Sequence, residues 1–181
     1  MLPDLFLARM NAASRKLILS LSPRLDQLPP EIQYFDEPLL PYGKAVIAAT
    51  KDIVSGYMFN FPAYLTIGAA GVIALERTLA YASTLGKVTI LDGDFSSADY
   101  AFAFTHGELW VDAVTVSHMA LQSAFIQAGM TAIVKGADIS EDGLAIVGDQ
   151  LHAGSHIWQV IQVEQMARGS LNFEEALRSA F

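Results

Sequence analysis

Asp92 and Asp94 stand two residues apart in Ile90-Leu91-Asp92-Gly93-Asp94-Phe95-Ser96-Ser97-Ala98-Asp99-Tyr100, where an apolar run gives way to polar sequence. In α/β proteins the carboxyl end of a buried strand is where catalytic and binding groups collect. A carboxylate pair can act as general acid and base, yet the stretch holds no lysine, arginine or histidine. Any partner must come from elsewhere in the chain. Ser117 and His118 follow "VDAVTV", and Lys135 follows "TAIV", each at the end of another apolar run. His118 is read first as a polar rim position, with ligand contact as the sharper alternative. Lys135 is read first as a surface or structural lysine, with a proton-donor or Schiff-base role as its alternative.

The elements that must position these residues alternate along the chain. A short amphipathic helix (5–14) precedes the strand "KLILSLSP"; a Pro-rich loop and the helix "LLPYGKAVIAATKD" lead to a second strand at 54–60. A helix through Leu79, the strand "KVTILDGD", a helix within "SADYAFAFTHGELW", the strand "VDAVTVSH", a short helix and the strand "TAIVKGAD" follow. Apolar strands without alternation, separated by helices, indicate a parallel sheet covered on both faces. Periodicity leaves a doubly wound sheet and a (β/α) barrel both open. "GLAIVGDQL" reads as a sixth strand, or with "TAIVKGADIS" as a hairpin around Glu141-Asp142-Gly143, while "SHIWQVIQVEQMARG" and "NFEEALRSAF" read as helices, the last capped by Asn172 and Glu175. No seventh or eighth strand is expected.

Composition narrows the function classes. A chain of 181 residues, 52% hydrophobic and 17% charged, is expected to form one domain over 1–181. With 11 Lys and Arg against 19 Asp and Glu, the net charge of −8 would repel a phosphate backbone, so nucleic acid is not an expected partner. The absence of cysteine excludes disulfides and thiolate metal sites. Residues 53–75 carry no charge and are long enough to span a bilayer, but Asn60, Pro62, Gly68 and Gly71 interrupt them. A strand, a loop and a buried helix are expected there, with no membrane partner. The first residues have an early acid and no basic leader, so a cytoplasmic location is expected. His152 and His156 could share a metal on a helix, but Gly154 and the lack of a third ligand point to a loop and a helix start. No metal or cofactor is expected. The glycines of "GAAGV" read as close packing inside a helix rather than a phosphate cradle.

Several motifs in one order carry a resemblance. "FLARM" followed by "LSLSPRLDQLPP", then "AVIAATKDIVSGYMFNFPAYLTIGAAGVIALERTLAYA", "TILDGDFSSADYA", "VDAVTVSHMAL" and "GMTAIVKGAD" are similar to successive segments of the orotidine 5′-monophosphate decarboxylase family in its longer bacterial form. The resemblance covers roughly Leu5 to Asp138 and implies a TIM-barrel-like (β/α) parallel sheet, incomplete or modified at its C-terminal end.

What the resemblance implies about the site is mostly loss. Ser22 stands where the family places an aspartate against the substrate ribose, and Met58 where a lysine ends the second strand. The third strand of the family supplies Asp, Lys and a second Asp reaching into the neighbouring subunit. Asp92 matches the first; Asp94 matches either the second acid or, without a gap, the lysine. Lys135 aligns with an arginine, Ala137 with the serine that contacts the pyrimidine, and His118 with a proline. Ser22, Met58, Asn60, Ser117, His118 and Ala137 are thus the substrate-binding candidates; Asp92, Asp94 and Lys135 are the catalytic ones. Decarboxylation leaves a carbanion that needs an ammonium group, and two acids without a cation would repel each other and an anionic substrate. The late Gly-Gln-Gly loop and phosphate-gripping arginine of the family have no counterpart in the sequence.

The leading expectation is a pseudoenzyme, a structural or regulatory subunit of decarboxylase-like form. The alternative is an active lyase on orotidylate or another small phosphorylated or carbonyl substrate. A lysine relocated beside Asp92 favours the alternative, and a closed, apolar mouth favours the first. A homodimer is expected through the strand-end face, with Met58, Phe59, Asp94 and Phe95 near the partner chain.

Overall fold

The computed structural model describes residues 1–13, 15–136 and 143–166. Eight strands close a barrel in chain order. β1 (Leu17–Leu21), β2 (Gly56–Asn60), β3 (Val88–Phe95), β4 (Ala113–Val116), β5 (Thr131–Lys135) and β6 (Leu144–Val147) pair in parallel. β7 (Gln150–Ala153) turns back antiparallel, β8 (His156–Gln162) reverses again, and β8 closes on β1 in parallel. The helices are α1 (Pro3–Asn11), α2 (Pro30–Gln33), α3 (Leu39–Thr50), α4 (Phe61–Leu65), α5 (Ala69–Thr84), α6 (Asp99–His106), α7 (Met119–Gln127) and α8 (Val163–Met166).

The C-terminal end corrects the sequence reading. Of the two expected forms, incomplete or modified, the barrel takes the second: it is closed through an antiparallel meander, and residues 156–162, expected to be helical, form β8. The cause is local. Gly148 and Gly154, at φ 59° and 55°, begin two-residue turns that pair Val147 with Gln150 and Ala153 with His156. Such left-handed φ values suit glycine, and Gly-Asp and Gly-Ser are two-residue hairpin signals. The hairpin considered around residues 141–143 is overturned, because β5 and β6 run parallel, with Val134 opposite Ala145 and Lys135 opposite Ile146. The last expected helix, with Asn172 and Glu175, lies outside the described residues.

Alternation along the strands divides the core into two layers. Leu17, Leu19, Leu21, Tyr57, Phe59, Leu91, Val114, Val116, Ala132 and Val134 face outward and pack against the helices. Ile18, Met58, Val88, Ile90, Ala113, Ile133, Leu144, Ile146, Leu151, Trp158 and Val160 fill the interior. The inner layer also takes Phe6 and Met10 of α1, both fully buried, so α1 plugs the amino-terminal end of the barrel. Each such side chain contributes about 1.5–3 kcal/mol by leaving water. Arg9 ties the plug down, donating to Asp112 Oδ1 at 3.0 Å and to the Lys87 carbonyl at 3.1 Å. The carboxyl ends of the parallel strands form the opposite end of the barrel.

The charge-free run at 53–75 resolves into β2, α4 and the start of α5. Among the described residues, no helix is long and apolar enough to cross a membrane.

Candidate functional site

Because Met58, Ile90, Ala113 and Ile133 face inward, the residues two further along each strand also face inward, at the mouth. These are Asn60, Asp92, Thr115 and Lys135. The Lys135 ammonium lies 3.0 Å from Asp92 Oδ1 and 3.2 Å from Oδ2. Lys135 therefore supplies, from β5, the cation absent from the sequence around Asp92. Read first as a surface or structural lysine, Lys135 stands at the mouth, partly exposed and paired to Asp92. The Asp92 side chain is 9% exposed while that of Lys135 is 40% exposed, so the pair presents its positive member outward.

Thr115 completes the cluster. Its hydroxyl donates to Asp92 Oδ1 at 2.8 Å and accepts the Gly93 N–H at 3.1 Å and the Asp94 N–H at 2.9 Å. The β3–β4 register shifts between Leu91 and Phe95, so the chain bulges where the two acids lie. Asp94 adopts φ 48°, a left-handed conformation that aspartate tolerates better than most residues, and its side chain is exposed. The two acids are therefore separated: Asp92 belongs to the cluster, and Asp94 contributes its backbone N–H. Gly93 is required sterically, since a Cβ there would come within 2.3 Å of the Phe95 ring. Phe95 is held beneath the bulge by Tyr100 and Phe104, each with ring centroids 4.8 Å away, and by Phe61 at 5.9 Å.

The other candidates take varied places. Asn60 is half-buried at the end of β2, and its Oδ1 accepts the Ala63 N–H at 2.9 Å, capping α4. Met58 is 5% exposed in the inner layer and Phe95 is 4% exposed. Met58 and Phe95, expected near a partner chain, are both buried within one chain. Ser117 follows β4, its N–H on the Phe95 carbonyl at 3.2 Å and its hydroxyl buried without a partner among the described residues. His118 is exposed at the start of α7, and Ala137 lies outside the described residues. His152 pairs with Ile157 and His156 with Ala153, which places the two histidines on opposite faces of the β7–β8 ribbon. Among the described residues no group of three or more His, Asp or Glu could hold a metal ion.

Ser22 meets a residue that the sequence reading missed. Its N–H donates to Glu164 Oε1 at 2.9 Å, and the Tyr42 hydroxyl donates to the same oxygen at 3.0 Å. Burial pushes the Glu164 carboxyl up, partly offset by these hydrogen bonds. Burial and the neighbouring Glu164 push the Tyr42 and Tyr64 phenols up as well. Glu164 lies in α8, and nothing in the sequence pairs it with Ser22 or Tyr42. Thr115 was legible: strand alternation from Asp92 and Lys135 would have selected it on the intervening strand.

No protein-family model matches the chain. Among curated proteins, it is 33% identical over 121 residues to the orotidine 5′-phosphate decarboxylase of Herpetosiphon aurantiacus, covering 62% of this chain and 45% of that one. It is 38% identical over 104 residues to that of Thermomicrobium roseum, covering 55% and 37%. These matches span less than half the length of the relatives. A solved structure of a putative orotidine-monophosphate decarboxylase from Toxoplasma gondii superposes with a TM-score of 0.63 at 21% identity, covering 74% of this chain and 48% of that one. One from Streptomyces avermitilis gives 0.58 at 21% identity, covering 79% and 56%. At that identity the structural likeness speaks for the fold alone.

Proposed function

Taking as premise that the chain is a divergent relative of the orotidine 5′-phosphate decarboxylases, similar in sequence over part of its length and in barrel fold, we propose that its mouth is a small-molecule site of the carboxy-lyase kind. The observation that carries this reading is the bidentate approach of Lys135 to Asp92. The substrate would be a small carboxylate whose loss of carbon dioxide leaves an electron pair on carbon, with orotidylate the first candidate by similarity. The Lys135 ammonium stabilises that developing charge and then gives its proton to the carbon, recovering one from water. Asp92 holds the ammonium in place, and Thr115 holds Asp92. Placing these groups on strands rather than loops supports a fixed geometry.

A second reading, a ligand-holding or regulatory scaffold without turnover, draws on Met58. An apolar side chain stands there at the position where the resemblance puts a second lysine. The two readings separate in one assay. Purified protein mixed with orotidylate and followed by ultraviolet absorbance should turn over above background, with the rate lost in Lys135→Ala and Asp92→Asn. Binding by calorimetry without turnover, in wild type as in the variants, supports the scaffold instead.

A further inference from the structure

We propose that Thr115 is the positioning residue of the mouth, fixing through its single hydroxyl both the acceptor role of Asp92 and the shape of the 92–95 bulge. A hydroxyl has one proton to donate and two lone pairs to accept with. Both lone pairs of Thr115 are occupied, by the N–H of Gly93 at 3.1 Å and of Asp94 at 2.9 Å. Its proton is left with one direction, toward Asp92 Oδ1 at 2.8 Å. That oxygen also receives Lys135 at 3.0 Å, so it accepts from both neighbours. Three strands are joined at one atom group: β3 through Asp92 and the bulge, β4 through Thr115, and β5 through Lys135.

The arrangement also accounts for the bulge itself. Asp94 holds a left-handed backbone, and the one side chain receiving its N–H is Thr115 among the hydrogen bonds of the described residues. Valine has nearly the shape of threonine but can neither accept the two N–H groups nor donate to the carboxylate. Serine keeps the hydroxyl and loses only a methyl group.

The geometric role stands independently of turnover, whereas its consequence for rate rests on the carboxy-lyase reading. The test compares Thr115→Val and Thr115→Ser with wild type by nuclear magnetic resonance. Two signals are followed: amide hydrogen exchange at Gly93 and Asp94, and the side-chain ammonium resonance of Lys135, which persists only while it is held in hydrogen bonds. In Thr115→Val, exchange at both amides rises at least tenfold and the ammonium resonance is lost; in Thr115→Ser both remain as in wild type. If Thr115→Val does not fold, Thr115→Ala carries the same comparison with the serine variant. Unchanged exchange and an intact ammonium signal in a folded variant lacking the hydroxyl overturn the proposal, since a packing role alone leaves them unmoved. Where turnover is present, kcat falls in Thr115→Val with little change in KM and recovers in Thr115→Ser. Loss of the two signals in an enzyme inactive even as wild type upholds the positioning role and sinks the carboxy-lyase reading.

Discussion

At the scale of single residues, the stability of the mouth depends on keeping Asp92 paired. Two unit charges 3 Å apart interact by about 5 kcal/mol at an effective dielectric near 20, most of it offset by lost hydration. Lys135 is partly exposed, so its removal leaves a buried carboxylate with Thr115 and incomplete hydration. Lys135→Met should lower unfolding free energy by roughly 1–3 kcal/mol in urea titration, and Asp92→Asn in the same background should recover part of the loss. Full stability in the single variant would mean that the pair contributes nothing. Glu164 gives a prediction in pH. Its folded carboxyl titrates above its unfolded value, so the native state holds the proton more firmly and stability falls as pH rises through that interval. The stability of wild type relative to Glu164→Gln should therefore decrease from pH 4 toward neutrality; an increase would contradict burial as the dominant cause. Asp92 was legible in the sequence because a strand end announces itself. Lys135 was visible as a candidate, but its partner was not, because spacing along β3 says nothing of what β5 brings across the barrel.

At the scale of elements, the first five strands could be read and the last two could not. Runs such as "KLILSLSP" and "KVTILDGD" are uninterrupted apolar strands bounded by helices, a pattern with one main physical explanation. "HIWQVIQV" mixes apolar and polar residues because β8 faces the core on one side through Trp158 and Val160, while Ile157 stays 45% exposed on the other. That mixture can be fitted to a helical period as well as to a strand. The turn dipeptides Gly148-Asp149 and Gly154-Ser155 were the better guide, being local and specific. The placement of Met58 follows from β2 and carries a prediction. With 5% exposure among Ile18, Ile90 and other inner-layer residues, Met58→Glu would set an unpaired carboxylate in the core. The expected result is a loss of about 3 kcal/mol or more, or failure to fold. A stable, well-folded Met58→Glu monomer would instead restore the strand-end interface expected from sequence.

At the scale of the whole molecule, a parallel barrel is closed economically by a meander in place of two helical crossovers. β6, β7 and β8 return to β1 through two-residue turns, and α1 fills the far end. Asp92, Thr115 and Lys135 converge at the mouth formed by the carboxyl ends of β3 to β5. Met58 and Phe95 are buried within the chain, whereas Phe102, 68% exposed on α6, is an aromatic surface open to self-association. The central claim concerns the opening rather than the interface. Its most direct measurement is the decrease of orotidylate absorbance with time, using wild type, Lys135→Ala and Asp92→Asn at equal concentration. Turnover by wild type that falls to the uncatalysed rate in both variants is the predicted result. Equal, background-level rates in all three would contradict the carboxy-lyase reading and leave the barrel a scaffold.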